Sequence, residues 1–247
     1  MKISIITAVY NGATTIAATL RSVAAQDYAS IEHIVIDGAS TDETVQRVRS
    51  QGTRVARLIS EPDSGVYDAF NKGLRCATGD VIAFLNCGDT YESSGVVSRI
   101  AQKFADPERD AVFADLLIVD AEDSSRVVRR YSSRRFAPQL LAYGVMPAHP
   151  TLFLRNSVYQ SVGEYDGRFR IAGDYELCLR VFALPSIRYC YVPHAIVRMP
   201  SGGLSNRGWR STWDITREMR RACEANGVRT NFAKLLSRLP LKVLEMI

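Results

Sequence analysis

Three stretches of this sequence share one design, an apolar run that stops abruptly at small, polar and acidic residues. The clearest is Val81-Ile-Ala-Phe-Leu-Asn-Cys-Gly-Asp89. Its five buried-type residues fit a central parallel strand, and Asn86 to Asp89 then fall just past the carboxyl end. Ile3-Ser-Ile-Ile-Thr-Ala-Val-Tyr-Asn11 and Ile34-Val-Ile-Asp-Gly-Ala-Ser-Thr-Asp42 repeat the layout. Open α/β sheets bind ligands at that edge, and an acid placed there can hold a divalent cation on a diphosphate. Three such ends point to a nucleotide site.

Periodicity fills in the frame. Strands are predicted at Lys2–Thr7, Ile31–Asp37, Arg54–Ser60 and Val81–Leu85. Helices are predicted at Thr14–Gln26, Thr41–Ser50, Val66–Cys76 and Ser93–Phe104, the second with Ser40 as N-cap and Glu43 completing a capping box. This βαβα alternation argues for a parallel sheet with helices on both faces. The second half loses the rhythm. Leu116–Asp120 and Val127–Ser132 read as a hairpin, Thr151–Leu154, Ile187–Val192 and Ala195–Arg198 as short strands, and Asp174–Phe182 as a helix. From Arg210 onward the pattern is helical and basic.

At 47% hydrophobic and 23% charged residues the chain has an ordinary globular composition. No apolar run approaches the roughly 18 residues of a membrane span. The opening Met1-Lys-Ile-Ser-Ile-Ile6 lacks a cleavage-type site and is interrupted at Tyr10-Asn-Gly12, so it reads as a strand and not a signal peptide, with a cytoplasmic location expected. The five cysteines are odd in number, widely spaced and free of any C-x-x-C pair, so neither a disulfide framework nor a zinc site is indicated. The net charge of +5 is concentrated in five arginines from Arg126 to Arg135 and five from Arg207 to Arg221. Such a surface attracts phosphorylated or anionic partners, but no nucleic-acid motif accompanies it.

Several residues bear chemistry, each with a plainer alternative. Thr7, Ala8, Tyr10 and Asn11 offer backbone groups and an aromatic face to a base, and Asp37 an acceptor for a base N–H. Asn11-Gly12 and Asp37-Gly38 also suit simple turns. In Ser60-Glu-Pro-Asp-Ser-Gly-Val-Tyr-Asp-Ala-Phe-Asn-Lys-Gly73, Asp63 sits in a turn, and Tyr67, Asp68, Asn71 and Lys72 follow on the first turns of a helix. Asp68 shares a face with Asn71 and Lys72, to grip sugar hydroxyls and phosphate or to form a solvated ion pair. Asp89, near Asn86, is a metal ligand or a turn former. Asp174 opens a helix, whose N-terminus favours the ionised carboxylate of a base and equally that of a cap. His149 precedes a strand and could line the cleft, whereas His33 and His194 read as structural and exposed.

Taken in order, these segments resemble the family-two inverting glycosyltransferases of the GT-A fold, of the bacterial polysaccharide-biosynthesis type. Ser4–Asn11 is similar to their first strand, and Asp37-Gly-Ala-Ser-Thr-Asp-Glu-Thr44 to their D-G-S-x-D-x-T turn. Ser60–Gly73, Gly79–Asp89, Ala148-His-Pro-Thr-Leu-Phe-Leu-Arg155, Gly173-Asp-Tyr-Glu-Leu177 and Ser201-Gly-Gly-Leu-Ser205 follow. The resemblance covers roughly Lys2 to Glu218. It implies a Rossmann-like, mostly parallel sheet with helices on both faces and a C-terminal helical extension. The glycosyltransferase domain would span 1–206, with a nucleotide-binding half to about 115 and an acceptor-side half after it, and residues 207–247 would form the basic amphipathic extension. By the same resemblance Asp37 binds the base and Asp89 the metal, Mg2+ or Mn2+, and Asp174 is the catalytic base. Thr7, Ala8, Tyr10, Asn11 and Asp63 join Asp37 at the nucleotide; Tyr67, Asp68, Asn71, Lys72 and Asn86 face the donor sugar or phosphate; His149, Tyr175 and Glu176 lie on the acceptor side. Two departures stand out. The usual D-x-D is reduced to Asn86-Cys-Gly-Asp89, and the acid that normally precedes the base is Gly173.

The expected activity is inverting transfer of a sugar from a nucleoside-diphosphate sugar, a UDP-sugar first, to a glycan or lipid-linked hydroxyl in surface polysaccharide synthesis. A sugar nucleotidyltransferase would show a glycine-rich basic loop where Thr7-Ala-Val-Tyr-Asn-Gly12 has no lysine or arginine. A weakly catalytic binding partner in an assembly complex is the other alternative. At the C-terminus, Arg207, Arg210, Arg217, Arg220 and Arg221 accompany Trp209 and Trp213, with Phe232, Leu235, Leu236, Leu239 and Leu241 behind. That pattern suits contact with the inner face of the cell membrane, or a helix packed on its own domain or in a dimer.

Overall fold

The computed structural model describes residues 1–202 and 208–239, with side chains in the second stretch from residue 212. Most of the Ser201–Ser205 motif, Arg207, Leu241 and the side chains of Trp209 and Arg210 therefore lie outside the described residues. Strands β1 (Ile3–Val9), β2 (Ile31–Asp37), β3 (Val55–Ser60) and β4 (Val81–Phe84) alternate with helices α1 (Ile16–Ala24), α2 (Thr44–Gln51) and α3 (Val66–Cys76). A two-residue strand β5 (Thr90–Tyr91) and helix α4 (Val96–Lys103) follow. The second half contributes β6 (Ala111–Val119), β7 (Val127–Tyr131), β8 (Phe153–Arg155), α5 (Asn156–Val162), α6 (Gly173–Phe182), β9 (Tyr189–Pro200), α7 (Gly208–Ala225) and α8 (Phe232–Leu236). Single 3-10 turns occupy Pro138–Tyr143 and His149–Thr151.

All of the strands join one mixed sheet in the order β3-β2-β1-β4-β8-β6-β9-β5, with β7 paired to β6. Strands β1 to β4 are parallel, so their carboxyl ends share one edge. Alternation along β1 explains the layers. Ile3, Ile5 and Val9 pack beneath α1, α2 and α4, whereas Ile6 and Ala8 face α3 and α6. Strand β4 is at most 1% exposed throughout, because both faces are covered. Each such large side chain contributes about 1.5–3 kcal/mol on burial.

Several expectations changed in detail. The predicted break at Pro193-His194 is a bulge within a continuous β9: its register against β6 jumps from Ala114↔Val192 to Asp115↔Ala195. A proline without an N–H is accommodated at such a bulge. The capping box at α2 does not form. The helix starts at Thr44, the Ser40 hydroxyl accepts a hydrogen bond from the Asn11 N–H, and Asp42 accepts from the Thr44 N–H. The loops compete successfully for these side chains.

Helix α7 packs into the same core as α6. Met219, Ala222 and Cys223 are buried there together with Leu235 of α8. Trp213 lies on the outer side, 49% exposed and stacked on Phe232. No helix among the described residues is long and apolar enough to cross a membrane.

Candidate active site

The parallel edge gathers the donor-side residues. Asn11 and Ala39 both adopt positive φ, 48° and 59°, which non-glycine residues hold only where the surroundings enforce it. The enforcement is visible: Asn11 Oδ1 accepts from the Thr41 N–H at 2.9 Å, and Gly12 N–H donates to Thr44 Oγ1 at 2.9 Å. Asn11 thus ties the first loop to the second through its side chain. The Thr7 hydroxyl is spent inside the sheet, donating to Leu85 O at 2.7 Å and meeting His33 Nε2 at 3.0 Å. Ala8 is buried beside it, and Tyr10 stands 64% exposed at the rim with its ring free for stacking.

Asp37 is fully buried at the end of β2. Its Oδ2 accepts from the Ser40 N–H at 3.0 Å and from Ser60 Oγ at 2.7 Å, whereas Oδ1 has no partner. A buried, unpartnered carboxylate oxygen is costly unless something fills the position. Asp63 comes close from the next loop. A methyl group on Gly38 would lie 2.6 Å from Asp63 Oδ2, so a larger residue there would push the Asp63 carboxylate aside. Asp63 Oδ1 also accepts from the Gly65 N–H at 3.1 Å.

After β4 the chain turns through Asn86-Cys-Gly-Asp89, closed by the Asp89 N–H on Asn86 O at 2.9 Å. Thr19 beneath it donates to Asp89 O at 2.9 Å and accepts from the Gly88 N–H at 2.9 Å. Burial raises the Asp89 carboxyl pKa to about 8. Asn86 Oδ1 is also buried without a partner. Mg2+ and Mn2+ favour hard oxygen donors and often retain water or substrate phosphate as further ligands. Asn86 and Asp89 carry oxygen donors of that kind, although no cluster of three His, Cys, Asp or Glu occurs among the described residues.

The other side of the site is organised by α3. Tyr67 reaches across to α6: its hydroxyl donates to Ile171 O at 2.6 Å and to Asp174 Oδ1 at 3.3 Å. Asp174 stands in the first turn of α6, half-buried, and Oδ1 also accepts from the Tyr175 N–H at 2.8 Å. Burial raises the Asp174 pKa; His149, the Tyr175 N–H and the Tyr67 hydroxyl oppose that shift. Gly173 is now explained. A methyl group there would lie 2.7 Å from the Tyr67 ring, so the acid expected at this position has no room.

The remaining α3 residues hold the scaffold. Asn71 clamps the backbone of Tyr165 from both sides, with each bond 2.8 Å long. Tyr165 stacks on Tyr67, and its hydroxyl meets His149 Nε2 at 2.7 Å. His149 is buried beside Phe70 and Phe84, and burial lowers its pKa, which favours the neutral ring. Asp68 accepts from the Ser64 N–H at 3.0 Å and caps the helix start. Lys72 donates to Pro62 O at 2.6 Å and pairs with Glu61 at 3.2 Å and Asp68 at 3.7 Å, which braces the loop that carries Asp63. On α6, the Tyr175 hydroxyl bonds Leu141 O and Cys223, and Glu176 pairs with Arg180 at 2.7 Å. Tyr175 nevertheless lines the same cavity as Asp174.

Two residues without a sequence signal complete the site. Glu218 of α7 accepts the Ile171 and Ala172 N–H groups at 2.8 and 2.9 Å and so fixes the entry into α6, two residues before Asp174. Asp115 of β6 is fully buried and accepts from Arg130, Ser132, Ser133 and Tyr191. It secures the β7 rim of a cavity of about 860 Å3 that is lined by Asp174. Both are long-range acids whose partners are far away in sequence.

Comparison with known proteins identifies the family and the fold. The family model for glycosyl transferase family 2 matches residues 4–163. A PGL/p-HBAD biosynthesis glycosyltransferase of Mycobacterium bovis is 30% identical over 209 residues, 82% of this chain and 78% of that protein. An uncharacterized glycosyltransferase of Mycobacterium tuberculosis is 35% identical over 183 residues, 72% and 68% of the two chains. Among solved structures, S. aureus TarS 1-349 in complex with UDP-GlcNAc superposes with a TM-score of 0.70 at 19% identity, covering 97% of this chain and 72% of that one. The mannosyltransferase PcManGT from Pyrobaculum calidifontis, in complex with GDP-Man and Mn2+, gives a TM-score of 0.65 at 18% identity, with 98% and 80% covered. With residues 4–163 matched and the sheet edge built as described, the chain belongs to glycosyl transferase family 2 and is a glycosyltransferase of the GT-A fold.

Proposed function

We propose that the protein transfers a sugar from a nucleoside-diphosphate sugar, a UDP-sugar first among them, to an acceptor hydroxyl with inversion at the anomeric carbon. The observation that carries this reading is Asp174. Among the described residues it is the one acid lining the cavity, and its hydrogen bonds from Tyr67 and the Tyr175 N–H fall on Oδ1. Oδ2 is left to take a proton. The acceptor oxygen gives its proton to Oδ2 and attacks the anomeric carbon. The bond to the diphosphate breaks on the opposite face, and its electron pair leaves with the diphosphate oxygen. One base and one displacement give inversion, unlike the paired carboxylates of glycosidases.

On the donor side, Asp37 Oδ1 accepts an N–H of the base, Tyr10 covers its face, and Asp63 stands beside it. Asp89 and Asn86 would hold Mg2+ or Mn2+, which when bound supplies positive charge to the diphosphate. The nucleotide-sugar complexes of TarS and of the mannosyltransferase, the latter with Mn2+, support the donor class. The Mycobacterium bovis relative, named for PGL/p-HBAD biosynthesis, supports a role in making surface glycans or glycolipids. A cytoplasmic enzyme meeting the membrane through Trp213, Arg217 and Arg221 fits the exposed side of α7. Loss of sedimentation with anionic liposomes in Arg217→Glu/Arg221→Glu would support that contact; unchanged sedimentation would remove it.

A thermal-shift panel of nucleoside diphosphates and their sugars, with and without Mn2+, tests the donor assignment. A ligand at 100 times its Kd stabilises by about 2.7 kcal/mol. A shift with one UDP-sugar that disappears in Asp37→Ala is expected; no shift with any nucleotide would refute the proposal.

A further inference from the structure

The cavity beside Asp174 is built for more than a neutral hydroxyl. Phe136, Met146, Ile215 and Met219 give it apolar walls, and Arg134, Arg135 and Arg238 also line it. Arg238 is the unusual member. It is only 7% exposed, yet its guanidinium meets only neutral oxygens, Leu235 O and Thr216 Oγ1, the latter at 3.0 Å. No carboxylate pairs with it among the described residues. Burial lowers its pKa, as desolvation of an uncompensated cation requires.

Nearby acids are committed elsewhere. Asp115 is saturated by Arg130, Ser132, Ser133 and Tyr191, and Glu176 by Arg180 and Asn226. Arg134 and Arg135 are exposed and make no ion pair among the described residues. Among the described residues, three guanidinia therefore share the cavity with one carboxylate. The hydrogen bonds to Asp174 come from Tyr67 and the Tyr175 N–H, and those of Arg238 go to Leu235 O and Thr216, so no contact joins the two among the described residues. A buried charge without a counter-ion is costly, and a bound anion removes that cost.

We propose that this cavity is the acceptor subsite and that it selects an acceptor carrying a phosphate group joined to an apolar segment. The phosphate lies against Arg238, Arg134 and Arg135, the apolar segment against Met146, Ile215 and Met219, and the reacting hydroxyl against Asp174. Arginine forks match phosphate oxygens, and three of them exceed what the two oxygens of a single carboxylate accept. The inference rests on Asp174 as the base of a glycosyl transfer.

Titration calorimetry on the full chain tests it, with octyl phosphate, octanoate and octyl glucoside each kept below its micelle concentration. Octyl phosphate is expected to bind roughly tenfold or more tightly than octyl glucoside, as one charge-assisted contact supplies. Arg134→Ala/Arg135→Ala, changed only at exposed positions, should lose that preference, and Arg238→Gln should lose it too. Equal affinities for the phosphate and the glucoside, or an unchanged octyl phosphate affinity in the double variant, would overturn the proposal. Equal binding of octanoate would overturn the phosphate assignment. UDP-sugar thermal shifts on the same samples separate the two readings. A normal donor shift without phosphate preference defeats this inference alone, and loss of both defeats the donor site.

Discussion

Asp89 makes the strongest quantitative demand on the account. A carboxyl with a pKa of about 8 is almost wholly protonated at pH 6 in the absence of a cation. A divalent ion binds the ionised form, so it must displace the proton. The apparent affinity is then reduced by a factor of about 100 at pH 6, about 10 at pH 7 and about 2 at pH 8. UDP-sugar affinity measured by calorimetry in fixed Mg2+ should rise roughly 50-fold from pH 6 to pH 8, and stay flat in EDTA. A nucleotide sugar is the right probe because its diphosphate does not titrate in this range. Asp89→Asn should be flat in both. The same pKa fixes a stability trend. It is raised above its unfolded value of 3.8, so the contribution is fully present below about pH 4 and is lost as pH rises toward 8. The metal-free loss is roughly 4 kcal/mol by pH 7 on that linkage. Asp89→Asn should therefore raise the metal-free Tm at pH 8 and leave it unchanged at pH 4. A metal-dependent affinity in wild type that ignores pH would refute the reasoning.

Two further substitutions probe how the base is held. Gly173→Ala places a methyl group 2.7 Å from the buried Tyr67 ring, which has no space to retreat from Tyr165. It should cost about 1–3 kcal/mol, read by denaturant unfolding, and lower kcat as the Tyr67 hydroxyl leaves Asp174; wild-type stability would contradict this packing. Glu218→Gln weakens the clamp on the Ile171 and Ala172 N–H groups. It should cost about 1.5–3 kcal/mol and reduce kcat with little change in donor affinity, and unchanged kinetics would mean that α7 does not position the base.

The first half of the fold was legible because its central strands, β1 and β4, are covered on both faces and end in turn chemistry. Strand β2 and helix α3 fall where periodicity put them, at Ile31–Asp37 and Val66–Cys76. The second half was harder. Strand β5 has two residues and exists only because β9 is there to pair with it, and α5 and the 3-10 turns are set by packing. At the site, the sequence pointed to Asp37, Asp89 and Asp174 but not to what their neighbours do. Asn71 spends its side chain on Tyr165 and Lys72 bonds Pro62 and Glu61, partners that periodicity does not reveal, whereas the Asp68–Lys72 pair is the i,i+4 contact that the spacing offered. Glu218 was invisible for the same reason, since its ligands lie about fifty residues upstream. The basic C-terminal helix read equally as a membrane element and as a packed one; its buried face, Met219 to Cys223, is part of the core that holds Asp174.

Asp174→Asn tests the central claim most directly. The change keeps the shape and the helix start but removes the group that accepts the proton. Sugar transfer from the UDP-sugar identified by thermal shift should fall on the order of 10²–10⁴-fold, while that donor's affinity stays within about twofold of wild type. Transfer at near wild-type rates with donor binding intact would contradict the assignment of Asp174 as the base.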